Sequence, residues 1–548
     1  MDVTLSKQRH ELFILVGSVM LYHLVVGLQG FDMADEGWSM TGFQQIFNDP
    51  QSVEYLFLYY LTNIVGGVWN VLFGWGGIYA FRVLTAIFMT LTVCVVWRML
   101  RPHFSFWSIM AGIWASFFCS YYGIMVFYHN YLTAFLAVCS AAALYKALVS
   151  DDLRWMAASG FIIGCNVFVR LPNLSLTSLI LLLLPYYLYH RNARRTGLHC
   201  CSAMGGFLLG AGSMVLLMLA LGHLGIFTNA VGSGFSATSD CESNHQFSQM
   251  VRRYLSVYKT IFTIGFFNNL YSVYLFGTLG WLWIMLFRRS RREYVYLSTT
   301  AVIILHCLPL GSDYGVTNIG ENCVYLATPL LTAIIWKEID AAAVSNRSRS
   351  LLRTSTIVLL CLFFARGGKQ IMGQCYFDEG SRVEKTHLID HPLATTFTTL
   401  RNCHLLNPLL RELSRHISKD DYLLCFQNNP TIHFLTQTRP YLYNPWVWAY
   451  DPSNMEQHFK RAEREHNVLP VIVRDKSLPP YWYEYDPDWD NEHAENTYFH
   501  KNKKIHLIRA FIRRHHYQLV WENEVFQVLI STATSANASN SLSPRLSP

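Results

Sequence analysis

FDMADEGW, residues 31–38, sets three carboxylates (Asp32, Asp35 and Glu36) directly behind the apolar run that opens the chain. That run is about twenty residues long, enough to cross a bilayer as a helix. Acids at the mouth of a membrane span are costly to hold beside hydrocarbon, which marks them as functional candidates. From Phe31 to Ala80 there is no Lys or Arg, so charge balance within the loop does not explain them. The structural alternative is capping, because an anion at the start of the following helix is stabilising.

The rest of the chain fits a membrane setting. Of 548 residues, 52% are hydrophobic and only 14% are charged, against roughly 25% charged in a globular protein. About eleven apolar stretches have the length of a spanning helix. They cover residues 11–30, 77–98, 105–123, 129–148, 154–169, 173–189, 203–225, 269–287, 294–310, 319–336 and 351–366. Segment 54–74, EYLFLYYLTNIVGGVWNVLFG, carries Asn63 and Asn70 among its apolar residues and is expected to lie in the interface as one helix or two. Lys7 and Arg9 precede a first stretch that is too long for a signal-peptide core and has no small-x-small site, so it is expected to be an uncleaved span.

Basic residues set the orientation. With the N-terminus inside, Arg98, Arg101, Arg154, Arg191, Arg194, Arg195, the run Arg288–Arg292, Lys337, Arg347 and Arg349 all fall in inner loops. The outer loops, 31–76, 124–128, 170–172, 226–268 and 311–318, then hold few. Spanning by 54–74 would reverse this bias, so the acids of 31–38 and everything after residue 366 are expected outside.

Beyond Arg366 the composition turns polar. Residues 420–430 have the pattern of a short buried strand and 431–440 of a helix ended by Pro440. Residues 468–476 form another strand, and 502–531 a helix followed by paired strands. The expected fold is mainly α: a polytopic membrane domain over 1–366 and a small α/β domain over 367–531. A low-complexity tail, 532–548, is expected to be disordered.

Several function classes are disfavoured. The net charge of +7 is dispersed among span-flanking loops, which does not favour nucleic acid as a partner. The 13 cysteines and 21 histidines show neither zinc-ligand spacing nor HExxH, so no metal is assigned. There is no Walker A loop and no GxGxxG, which speaks against ATP-driven transport and nucleotide cofactors.

A long outer loop with an Asp-Glu pair just after the first span resembles the GT-C superfamily of membrane glycosyltransferases. Protein O-mannosyltransferases and aminoarabinose transferases are the nearest in layout, and the resemblance covers residues 1–366. It implies a sugar donor carried on a polyprenyl phosphate and an acceptor that is lipid, glycan or protein. It also implies an inverting, metal-independent displacement without a cofactor, in which a first-loop acid is the general base. Asp35 is the expected base, Glu36 its orienting partner and Asp32 the reserve. The layout further implies a bacterial inner membrane with the C-terminal domain in the periplasm.

Other residues join this expectation by position. Arg82, in GGIYAFRVLTAIF at the outer end of the second span, matches an arginine that lies near the donor phosphate or the catalytic acid in the resembling enzymes; alternatively it snorkels to water. Arg170, in FVRLPNLSL, has a fork suited to phosphate but also a topological reading. Asp240 and Glu242 lie in the longest outer loop of the membrane body, followed by Arg252, Arg253 and Lys259. Asp313 and Glu321, in GSDYGVTNIGENCVYLATPLL, flank a later span. Here the family commonly has His or Arg, whereas this chain has Glu321 and Asn322. His129 and Asn130 follow an aromatic cluster that lines either a sugar cavity or the interfacial belt. In the C-terminal domain, Trp446, Trp448, Tyr481, Trp482, Tyr483 and Trp489 offer faces for stacking on sugar rings or pack the domain itself. The competing readings are a transporter or flippase for lipid-linked glycans, for which no internal repeat is visible, and a glycan polymerase or ligase.

Overall fold

A computed structural model describes residues 2–119, 123–239, 247–312, 315–342, 344–476 and 501–532. Among these, nine helical segments are long and apolar enough to cross a bilayer, from Ser6–Val26 to Asn346–Gly373. The chain is a multi-pass membrane protein, mainly helical, with a small sheet near its C-terminal end.

Two of the eleven expected spans fall short. Residues 105–123 give the helix Phe106–Phe117, with 12 residues, and 154–169 give Leu153–Asn166, with 14; these are only about 18 and 21 Å long. Buried amides end both. Asn269 Nδ2 donates to the carbonyl of Phe118 at 2.8 Å. Asn173 Nδ2 donates to the carbonyl and the side-chain oxygen of Asn166, and to Thr133 Oγ1 at 2.7 Å. Average hydropathy does not register one such amide in an apolar stretch. Segment 54–74 falls across two consecutive helices, a 3₁₀ helix Pro50–Tyr59 and an α-helix Tyr60–Phe73.

Helix Leu153–Asn166 packs closely on Ala193–Ala220 through paired small residues. A Cβ added to Gly160 or Gly206 would strike the carbonyl oxygen of Ala203 or Ala157, and Gly164 and Gly210 are as tightly placed. Glycines four apart on facing helices allow backbone-to-backbone approach where the hydrophobic effect between helices is weak.

The sheet contains β1 (Tyr422–Phe426), β2 (Arg439–Pro440), β3 (Val471–Asp475), β4 (Tyr517–Glu522) and β5 (Phe526–Ser531). Its order is β2-β1-β3-β5-β4. β1 is parallel to β2 on one side and to β3 on the other, while β5 is antiparallel to β3 and β4. The chain therefore leaves β1 first to one side and later to the other, a reversal that opens a crevice at the strand's carboxyl end. That end runs directly into Thr431, which contacts the acid loop. Thr431 donates from its N–H to the carbonyl of Met33 at 3.1 Å and from Oγ1 to that of Asp32 at 2.7 Å. Its backbone lies so close to Gly37 that any Cβ there would collide with it, which accounts for the glycine in FDMADEGW.

The segment after the last long helix braces the same loop. Gly30 N–H donates to the carbonyl of Phe397, and Phe397 N–H to that of Leu28, both at 2.8 Å. Phe31 N–H donates to Asp378 Oδ2, also at 2.8 Å.

Candidate active site

The three acids sit at the start of helix Asp35–Gln45, and the fold treats each differently. Asp32 caps the helix: its two oxygens accept from the N–H groups of Ala34 at 2.7 Å and Glu36 at 2.8 Å. Burial, with the charges of Glu36 and Asp35 nearby, pushes its carboxyl well above the usual range, against the pull of those two N–H groups.

Glu36 is sealed. Its Oε2 accepts from Arg82 Nη2 at 2.7 Å, with both side chains 2% exposed. Its Oε1 accepts from the N–H groups of Met125 at 2.8 Å and Val126 at 3.0 Å. Arg82 donates further to the carbonyls of Gly27 (2.9 Å), Gln29 (3.0 Å) and Gly30 (2.8 Å). The guanidinium thus collects the free carbonyls at the end of the first helix and joins them to the acid loop. A buried pair held this way is strongly destabilised by loss of one partner.

Asp35 is neither cap nor ion pair. It is half-buried and accepts a hydrogen bond at 2.6 Å from Tyr376 Oη. Burial raises its carboxyl to about 6, the Tyr376 hydroxyl opposes this, and the neighbouring Glu36 charge adds to it. A carboxylate so placed is mostly ionised at neutral pH and still a usable proton acceptor.

Segment Gly123–Tyr128 gathers the remaining candidates. Its position is fixed by Glu36 and by Phe127 N–H, which donates to the carbonyl of Phe81 at 3.2 Å. Tyr128, buried, lies within electrostatic reach of both Asp35 and Glu321 and accepts from Asn130 Nδ2 at 3.0 Å. Glu321 is buried on helix Val316–Ala341. Arg170, also buried, reaches Asn130 Oδ1 at 3.5 Å and is close enough to act on His129. The His129 ring lies 4.3 Å from Tyr59 and 5.0 Å from Tyr128, between centroids.

The fold therefore brings Asp32, Asp35, Glu36, Arg82, Arg170 and Glu321 around one short segment. Asp240, Glu242, Asp313, Tyr481, Trp482, Tyr483, Trp489 and the tail 533–548 lie outside the described residues. Sequence reasoning missed Tyr376, whose contact to Asp35 spans 341 residues. Its only signal was a Tyr-Phe-Asp run soon after the last apolar stretch. It also missed the two N–H groups of Met125 and Val126, which leave no trace in side-chain identity.

The structure of ArnT from Cupriavidus metallidurans in the apo state is similar to this chain, with a TM-score of 0.52 at 13% identity, covering 95% of this chain and 98% of that one. Oligosaccharyltransferase from Archaeoglobus fulgidus, in complex with zinc and sulfate, gives a TM-score of 0.45 at 11% identity over 85% of this chain and 69% of that one. No protein-family model matches the sequence, and no curated protein sequence does. The ArnT likeness shows the fold: the chain shares the architecture of that structure, and the likeness extends through the C-terminal sheet as well as the membrane body.

Proposed function

We propose that the chain is a membrane glycosyltransferase that moves a sugar from a polyprenyl-phosphate donor to an acceptor hydroxyl, with Asp35 as general base. The observation that carries this reading is the division of labour among the three acids. Asp32 is spent on the helix and Glu36 on Arg82 and two N–H groups, while Asp35 stays half-buried with, among the described residues, a single tyrosine hydrogen bond. In the reaction the acceptor oxygen bonds to the anomeric carbon and its proton passes to the Asp35 carboxylate. The carbon–oxygen bond to the phosphate breaks, and the polyprenyl phosphate leaves with the electron pair. A carboxylate near the anomeric centre also stabilises the oxocarbenium-like transition state.

Arg170, buried beside Asn130 and His129, supplies the cation for the departing phosphate. Arg82 holds the loop and the acid pair in place. Glu36 orients Asp35 through the backbone it fixes. The dispersal of basic residues supports an inside N-terminus and chemistry at the outer face.

The test is a transfer assay with labelled polyprenyl-phosphate sugars and membranes or purified acceptor fractions. Asp35→Asn is expected to lower turnover by about 10²–10⁴-fold, the contribution of a positioned base, while the protein inserts and purifies normally. Unchanged turnover in that variant would remove Asp35 from the mechanism.

A further inference from the structure

One helical turn beyond Asp35 the same face of its helix carries Trp38. Trp38 is buried, and its indole N–H donates to Asn444 Oδ1 of the C-terminal domain at 3.0 Å. Asn444 Oδ1 also accepts from the N–H of Trp446 at 3.1 Å. Among the described residues its amide nitrogen, on a residue that is 0% exposed, has no hydrogen-bond partner, and neither has the buried indole N–H of Trp446. Unmatched donors in such a setting are costly unless a ligand or water meets them.

The Trp38 ring stands edge-on to Tyr59 at 5.1 Å and to His129 at 6.4 Å. Tyr59, His129 and Trp446 are each half-buried. His129 in turn adjoins Tyr128, which lies within reach of Asp35. The rings thus form a wall leading from the proposed base to the join between membrane body and C-terminal domain. Arg170, acting on His129, is the cation beside this wall.

We infer that Trp38, Tyr59, His129, Asn444 and Trp446 form a subsite for a saccharide acceptor, which narrows the acceptor to a glycan-bearing molecule. Flat ring faces suit the C–H face of a sugar, and an amide and an indole donor suit its hydroxyls. Two of the five residues belong to the C-terminal domain, so the occupant enters from water rather than from the bilayer, as an acceptor does and a polyprenyl-linked donor does not. A sugar on this wall presents a hydroxyl toward Asp35. The inference takes its acceptor role from the glycosyltransferase reading, while the binding itself needs no transfer.

The experiment is binding of the purified full chain, in detergent, to an array of neutral and acidic oligosaccharides. Thr398→Val, in the closed cluster around Asp378, is expected to bind as the wild type does. Trp446→Ala and His129→Ala are expected to weaken binding at least tenfold, and Trp446→Phe, which keeps the ring but lacks the N–H, to fall between. Gel filtration establishes that each variant is folded; should Trp446→Ala aggregate, His129→Ala and Trp446→Phe carry the comparison. Absence of oligosaccharide binding, or equal binding by the folded wall variants, overturns the subsite. Transfer onto protein or non-sugar lipid alone would overturn it too and leave the glycosyltransferase intact. Wall-dependent binding without transfer from any donor would retain the subsite and sink the enzymatic reading instead.

Discussion

Two carboxylate clusters meet at the end of the first helix, and they are built on opposite terms. Around Asp378, everything is closed: its side chain and that of Lys385 are 0% exposed and 3.0 Å apart. Asp378 also accepts from the N–H of Phe31, from Thr398 Oγ1 and from Asn402 Nδ2 at 2.9 Å. Around Asp35, the fold closes Asp32 and Glu36 in the same way but leaves the third acid partly open. Saturated acids hold backbone; the unsaturated one remains available for chemistry. Both kinds occur within one short stretch of sequence, so an acid's role here follows from its hydrogen-bond partners more than from its position.

The sharpest way to break that comparison is to remove a partner from a closed acid. Arg82→Met strands Glu36 in the interior, and Lys385→Met does the same to Asp378. Each is expected to cost about 3–5 kcal/mol, seen as a lower melting temperature or loss of a monodisperse peak. Stability at the wild-type level in both would mean that these pairs hold nothing.

Asp35 is expected to behave in the reverse sense. Its carboxyl rises on folding to about 6, so the ionised form is penalised in the folded state. That penalty grows from about pH 4, near the unfolded value, up to about 6 and is full above it. At pH 7.5, Asp35→Asn should therefore melt no lower than wild type, with any gap closing as the pH falls through 6. The proposed transfer needs the ionised form, so activity should fall as pH drops through about 6. Tyr376→Phe removes a hydrogen bond to that form and should move the acid limb upward by about one pH unit, the equivalent of roughly 1.5 kcal/mol. A limb that stays put would reduce Tyr376 to packing.

The smallest effect sharpens the closed side. Thr398→Val removes one of several bonds to Asp378 and should cost about 1 kcal/mol by denaturant titration, with turnover unchanged.

The sequence was legible where its signals are periodic or compositional. The long spans, the strands around 422–426 and 471–475, and the helix and hairpin over 501–531 follow from apolar runs and turn residues. It was less legible where one polar group acts at a distance. Asn173 and Asn269 end helices that hydropathy extends. The acids stand out in the sequence as a group, but nothing in DMADE tells a cap from a buried pair from an acid left partly open. That distinction depends on Arg82, on the N–H groups of Met125 and Val126, and on Tyr376, and only the folded chain brings these together.

The bond from Phe31 N–H to Asp378 joins residues 347 positions apart, and Tyr376 meets Asp35 across a similar gap. Chains grow from the N-terminus and fold as they emerge. The first loop is therefore synthesised long before Tyr376 and Asp378, and it waits for them through the making of every later span. The loop is completed late, by the segment that returns to the first helix.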